Sequence, residues 1–443
     1  MIAYETYKPI SLPWLKSVPS HWDMVRNKVV MQESKTTVGK ESSKYTLLSL
    51  TKRGIIIRDL SQMKGKFPSD FGTYKTVEDG QIIFCLFDID ETPRTVGLSH
   101  HSGMITGAYD VFDISGINSD YLQYYYLSLD NVKAMRPLYT GLRKVIGMTT
   151  FLQTSLPLPP REEQDQIVRY LDWQVSKVNK LIAAKKKQIK LLQEQKQAMI
   201  NAAVTQGGEA WKEISLGNLG SFRKGYGGTR ADDAEEGVAC IRYGDIYRTG
   251  VYVLESPVTR IDAVAAKTYA RIYKSEVIFP LSGETKEDIG MAMVNHISED
   301  TWCSGDCAVF ASNGKILPEF LAYAVRCPYL VQQRASMAKG DIIVHLSTSA
   351  IRRLRILVPP VDVQGIIVTK IRAMQSKTDR ILSAIEQQLS FLQEFHTRLI
   401  SDVVTGKLDV RDVVVPDCES VEEDASEVEF TDDELGISEA EEP

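Results

Sequence analysis

Cysteine is scarce in this chain, six in 443 residues, too few for a disulfide framework. No apolar run approaches the roughly 20 residues needed to span a bilayer. The N-terminus MIAYETYKPISLPWLK lacks the basic-then-apolar order of a secretory signal. A soluble cytoplasmic protein, with no membrane partner, is the expectation. No Gly-x-x-x-x-Gly-Lys-Ser/Thr loop is present. TTVGKESS and SNGKIL lack the first glycine at the required spacing, which argues against a motor ATPase. A methyltransferase would need a Gly-rich cofactor loop and an Asn/Asp-Pro-Pro-aromatic motif. The Pro-Pro pairs here follow Leu158 and Val358 and precede Arg161 and Val361, so they cannot serve.

What is present is ordinary globular material, 43% hydrophobic and 8% aromatic, long enough for two to four domains. The net charge of −6 hides an asymmetry. From Pro416 to Pro443 the chain carries 13 acidic residues and no Lys or Arg; without that segment 45 acidic residues face 52 basic ones, a net +7. A block of this composition predicts a disordered, solvated tail, and a mildly basic body permits a nucleic-acid partner.

The chain repeats itself. Residues 159–205 and 359–405 align without a gap, with 15 of 47 positions identical, among them Gln164/Gln364, Ile167/Ile367, Val168/Val368 and Ser176-Lys177/Ser376-Lys377. Upstream the likeness continues with small gaps: DGQIIF with KSEVIF, GAYDVFD with GDCAVFA, DYLQYYYLS with EFLAYAVRC, and Trp22 with Trp211. The offset drifts from 189 to 200. The pattern is a variable globular module followed by a register-locked segment, twice.

Each locked segment predicts a long helix. Glu162 to Thr205 contains no Pro or Gly and is rich in Lys, Gln, Leu, Ala, Ile and Glu. Pro159-Pro160 disfavours helix before it, and Gly207-Gly208 follows it. Helices of about 44 residues would run roughly 66 Å at 1.5 Å per residue. Heptad spacing puts Val178, Ile182, Ile189, Leu192 and Met199 on one seam, interrupted by Lys185 and Lys196. It puts Leu382, Ile385, Leu389, Leu392 and Leu399 on the other, interrupted by Gln375, Thr378 and His396. Two matched stripes predict an antiparallel intramolecular coiled coil with a pseudo-two-fold axis. Two-fold-related readers suit two half-sites on a duplex, and because the modules differ in sequence, the half-sites would differ too.

These residues resemble the specificity (S) subunits of type I restriction–modification enzymes. The likeness rests on LPLPPREEQDQIVRYLDWQVSKVNKLIAAKKKQIKLLQEQKQAMINAAVTQG after one variable region. It rests equally on ILVPPVDVQGIIVTKIRAMQSKTDRILSAIEQQLSFLQEFHTRLISDVVTGKLDVRD after the other. IRYGDIYRTG is similar to a segment common near the start of that family's target recognition domains. The resemblance implies an α+β protein with two mixed α/β target recognition domains, at 1–158 and 208–358. Helical spacers at 159–207 and 359–412 join them, and the acidic tail at 413–443 lies outside the resemblance. It also implies a chain that performs no chemistry and binds no cofactor or metal. Such a chain would hold double-stranded DNA, two methyltransferase (M) subunits using S-adenosylmethionine to methylate adenine N6, and restriction (R) subunits using ATP and Mg.

Candidate DNA contacts are cations and aromatics in Gly-bounded loops. In the first module they are Lys52, Arg53, Arg58, Lys64, Lys66, Arg143 and Lys144. In the second they are Arg223, Lys224, Tyr226, Arg230, Arg242, Tyr243, Arg248 and Lys339. The stretch AAKKKQIK could track phosphates or face a partner subunit, and His100-His101 could touch DNA or form a polar turn. Two other readings stay open. Glu284 and Lys286 have the Glu-x-Lys spacing of some Mg-dependent nucleases, and a long coiled coil could be a protein scaffold. His296, Cys303 and Cys307 lack a CxxC pair and an evident fourth ligand, so buried free thiols are expected over a zinc site. Gln164 and Gln364 fit either a hydrogen bond at a helix start or a contact with an M subunit.

Overall fold

The computed structural model describes residues 3–58, 71–139, 144–208 and 210–416. Lys64, Lys66, Arg143 and the acidic segment from Asp417 onward lie outside the described residues. The chain forms two compact units, Met1–Lys185 with Gln387–Pro443, and Lys186–Glu386. The division falls inside the long helices and not at the Pro-Pro junctions, because each module packs on part of both helices.

Those helices are Arg161–Thr205 and Val361–Val404, 45 and 44 residues long, each starting directly after its Pro-Pro pair. The second closes on Gly406 at φ +73°, the left-handed position glycine adopts without cost. In the first unit, Ile167 and Leu171 of the first helix share a core with Leu399, Ile400, Val403 and Val404 of the second. In the second unit, Ile200 and Val204 share a core with Val368 and Ile371, and Lys196 pairs with Asp379 at 2.8 Å. Within each unit the start of one helix therefore meets the end of the other, which is antiparallel packing.

Val178, Leu382, Ile385 and Leu399 are buried, and Ile182, Ile189, Leu192 and Leu389, with Leu392, are half-buried. Met199 differs from its heptad assignment: it is 48% exposed, and Ile200 is fully buried in its place. After Leu192 the inward positions are Lys196, Ile200 and Val204, steps of four. An α-helix with 3.6 residues per turn drifts off a 3.5-residue repeat, and here the globular core selects the face.

The first module is built on an antiparallel sheet ordered Met31–Ser34, Asp110–Ile114, Ile82–Phe84, Val96–Leu98. Phe84, Phe112, Tyr126 and Phe151 pack edge-on or tilted beneath it. Asp23–Arg26 pairs with Ser155–Leu158, so the module's beginning and end meet at the junction. The second module repeats this closure with Lys212–Ser215 on Arg355–Val358. Its five-stranded sheet runs Gly220–Lys224, Cys307–Ser312, Val277–Pro280, Met293–Asn295, Val253–Leu254. A four-stranded sheet centred on Asp233–Ile241 and Thr301–Cys303 lies alongside in sequence and completes the module.

One side chain does the same work in both copies. Gln164 donates from Nε2 to the Pro159 carbonyl (2.8 Å) and accepts at Oε1 from the Asn118 amide (2.8 Å). Gln364 donates to the Pro359 carbonyl (2.8 Å) and accepts from the Leu317 amide (2.7 Å). Asn118 and Leu317 are the N-cap residues of the helices Ser119–Asn131 and Pro318–Val325. Beside the first clasp, buried Glu163 accepts from Tyr4 (2.6 Å) and Trp22 (2.9 Å) and lies 2.8 Å from His21. Gln166 donates to the carbonyls of Val410 (2.9 Å) and Val413 (2.7 Å). Val413 and Val415, within the 413–443 stretch assigned to the tail, pack against the core of this unit.

Gln164→Ala leaves the Asn118 amide and the Pro159 carbonyl without their partner. A loss of about 1–3 kcal/mol is expected, with Gln364→Ala costing a similar amount, measured by urea unfolding. His396 supplies a pH test. Burial, and then the charge of Arg94, hold its pKa below the ordinary value of about 6.5. A depressed folded pKa means the neutral form stabilises the fold above pH 6.5, and that contribution is lost as pH falls through the folded pKa. His396→Leu should therefore lose less stability than the wild type between pH 7 and 5; parallel losses would show that His396 does not titrate as described.

Candidate nucleic-acid interface

The second module carries its basic and aromatic residues on one run of neighbouring loops. The strand Gly220–Lys224 passes into a glycine turn at 225–228, where Gly227 and Gly228 adopt φ +77° and +105°. A Cβ on Gly227 would stand 1.9 Å from the Thr268 carbonyl oxygen, so only glycine fits. The turn is bound to its neighbours through the backbone: Gly225 donates to Cys307 (2.8 Å), and Gly305 donates to Gly227 (3.0 Å). Leu281 donates to Asp306 (2.8 Å), and Leu346 donates to Leu281 (2.9 Å). The glycine turn, the 304–306 turn, the strand end at 281–283 and the hairpin at 339–346 are thus laid side by side. At about 4.8 Å per step the series spans roughly 15 Å.

Three of the four second-module arginines named as candidate DNA contacts are struts of this edge. Arg223 grips both carboxylate oxygens of Glu276, which raises the arginine's pKa. Arg242 donates to the Thr229 carbonyl (2.7 Å) and to Asp233, and Tyr269 donates to Asp232 at 2.8 Å. Burial and that bond push the Tyr269 phenol up to about 12, so it stays a donor at neutral pH. Arg248 pairs with Asp245 (2.8 Å), whose carboxylate also caps the helix Tyr243–Thr249 by accepting from the Arg242 amide (2.9 Å). The paired guanidinium of Arg248 remains largely exposed.

Besides Arg248, the exposed members are Lys224, Tyr226, Arg230, Tyr243 and Lys339. Lys224 and Arg230 have no ion-pair partner among the described residues. Tyr243 stands beside Tyr247, whose hydroxyl donates to the Ser282 carbonyl (3.0 Å) and so joins this helix to the same edge. A surface of this kind offers cations for phosphates and ring faces for bases.

In the first module Lys52 and Arg53 are exposed at the tip of the hairpin Leu48–Thr51/Gly54–Ile57. Arg58 is half-buried just beyond it, its amide bonded to the Leu47 carbonyl (2.9 Å). Lys144 is held by Glu91 and by Asp90 (3.3 Å), which raise its pKa. His100-His101 form a turn pinned by Ser99, whose hydroxyl donates to the His101 carbonyl at 2.7 Å.

The remaining sequence candidates lie in the following surroundings. Lys286 lies 3.7 Å from Asp341, and Glu284 is exposed in the same loop. His296 faces Glu319 at 3.3 Å. Cys303 and Cys307 are fully buried, and the hydrogen bond between them, then burial, drives the Cys303 thiol well up. Among the described residues no group of three or more His, Cys, Asp and Glu is placed to hold a metal ion. Among them also, no helix is long and apolar enough to cross a membrane.

Residues 106–191 match the family described as Type I restriction modification DNA specificity domain. That stretch runs from the central sheet through the first glutamine clasp into the first long helix. The match to the DNA specificity domain thus covers this stretch of the first module and helix. The chain is 21% identical over 142 residues to the EcoKI specificity subunit of Escherichia coli, spanning 32% of this chain and 31% of that one. It is 20% identical over 286 residues to the MjaVIII specificity subunit of Methanocaldococcus jannaschii, spanning 59% and 64%. The aligned stretches cover less than two thirds of either relative. The fold is shared with a chain from a study of complex assembly and conformational transition of the type I R-M system (TM-score 0.66, 15% identity, 88% of this chain and 99% of that one). It is shared also with the HsdS subunit from Thermoanaerobacter tengcongensis (TM-score 0.51, 15% identity, 88% and 98%). Both relatives that the chain resembles in sequence are specificity subunits of type I restriction enzymes.

Arg242→Met cuts the link from the glycine turn to Asp233 and Tyr269. Amides of residues 225–233 should then exchange at least tenfold faster with deuterium, corresponding to about 1.4 kcal/mol or more of lost local stability, while the long helices keep their protection. Unchanged exchange would show that the turn stands without this strut.

Proposed function

We propose that this chain is the non-catalytic DNA reader of a type I restriction–modification complex. It recognises an asymmetric, bipartite target, one half-site per module, and recruits two methyltransferase subunits and restriction subunits. The observation that carries the reading is the doubled plan. Each module closes on its own strand pair and is clasped by the same glutamine to a long helix, while the loops differ. The first module presents Lys52 and Arg53 on a hairpin tip; the second presents Lys224, Tyr226 and Arg230 around a glycine turn. Equal mounting with unequal loops suits two half-sites of different sequence. S-adenosylmethionine, ATP and Mg belong to the partner subunits in this reading, and the chain supplies position and sequence preference.

The purified chain mixed with its M subunit should methylate adenine at one interrupted sequence. Methylation of a continuous palindrome, or methylation that does not require this chain, would contradict the reading. Exchanging residues 1–155 for another first module should change one half-site and leave the other intact.

A further inference from the structure

Between Asp172 and Glu194 the first long helix carries six lysines and no acidic residue. Lys177, Lys180, Lys187 and Lys190 are exposed, and none of them has an ion-pair partner among the described residues. Over 387–398, its part in the first unit, the second long helix adds only Glu394 and Arg398, which cancel. Gln166, Arg169, Trp173, Lys177 and Lys180 follow one another at steps of three and four, so they line one side of the first helix. Arg169 donates to Gln166 (2.6 Å), and the Lys177 ammonium lies 3.7 Å from the centre of the Trp173 ring. Among the lysines, Leu181 and Leu191 are 52% and 54% exposed.

The C-terminal segment is fastened at the foot of this run. Gln166 holds the carbonyls of Val410 and Val413, and Val413 and Val415 pack on the same core as Trp173. The 28 residues from Pro416 to Pro443 follow, with 13 acidic side chains, no Lys or Arg, and Val421, Val428, Phe430, Leu435 and Ile437 between them. Lys177 and Lys190 stand about 17 and 36 Å along the helix from Gln166 at 1.5 Å per residue. A stretch of 28 residues reaches at most roughly 95 Å, so every lysine of the run is within its range.

We propose that residues 417–443 dock on this lysine run of their own chain and cover it against other polyanions. The acidic side chains face the lysines, and the apolar ones meet Leu181 and Leu191. Opposite charge of one sign on each side selects this occupant, and tethering at Gln166 gives it a high effective concentration. Each exposed ion pair is weak, so the cover is held by their number and yields to a denser polyanion.

The test uses the full chain. A carbodiimide, which joins lysine amines to carboxylates, should link residues 417–443 to Lys177, Lys180, Lys187 or Lys190. A mixture of isotope-labelled and unlabelled chains should show the links within one copy. Raising salt from about 0.1 to 1 M shortens the Debye length from about 10 to about 3 Å and should cut these links about tenfold. A variant with the 13 acidic residues changed to Asn or Gln should bind a duplex of unrelated sequence about tenfold more tightly than the wild type. In the background Lys177→Gln/Lys180→Gln/Lys187→Gln, which keeps good helix formers, that gain should fall below about twofold. The proposal is overturned if the links fall mainly on lysines elsewhere or between copies. It is overturned equally if the gain is the same in both backgrounds, since the tail would then act through net charge alone. A chain that shows no such links by itself, while these lysines join to the M subunit in the complex, would make the run that subunit's site and also overturn it. Absence of duplex binding by every variant would remove the DNA-reading function and leave the links to decide this proposal.

Discussion

A glutamine side chain that satisfies two backbone groups at once is the constraint on which each half of this protein depends. Pro159-Pro160 and Pro359-Pro360 end the modules with residues that cannot donate a backbone hydrogen bond and that disfavour helix before them. The first turn of the long helix then projects Gln164 or Gln364 back onto the first proline's carbonyl and across to the amide that starts the module's own helix. A buried amide bonded at both ends has one orientation. It sets where the long helix leaves the module, and the ungapped spacing of the two copies keeps that exit the same in each.

The basic residues divide by chemistry. Arg223, Arg242 and Arg248 carry forked guanidinium groups, and each pairs with a carboxylate inside its own module. The exposed cations of the same edge without an ion-pair partner among the described residues are Lys224, Lys339 and Arg230, while Arg248 is exposed but paired. A planar fork suits a fixed ion pair, whereas a flexible point charge suits phosphates whose positions shift between sequences. The net positive charge of the body therefore overstates what is open to a ligand. Part of it is spent internally on holding glycine-rich loops in one shape.

The long helices were legible because their signals are local: Pro-Pro before, Gly-Gly or Gly after, and a repeat that returned at the same spacing. The register of the seam was legible only as far as the heptad governs it. Met199 turned outward because the core of the second unit selects Ile200 and Val204. The glutamines stood out in sequence, yet their purpose depended on Asn118 and Leu317, each about fifty positions away along the chain. Distance hid the arginine struts in the same way, since Glu276 lies 53 residues from Arg223.

The composition of the first unit has a consequence for how the protein is made. Its core takes in Leu399, Ile400, Val403, Val404 and Val410, so the N-terminal module is incomplete until nearly the whole chain has been translated. The second unit, Lys186–Glu386, is continuous and can assemble first. At ribosomal rates of 5–20 residues per second, the 201 residues of that second unit, Lys186–Glu386, take roughly 10 to 40 s to emerge. For that interval the apolar face of the first module waits on the nascent chain. The module made first is the one finished last.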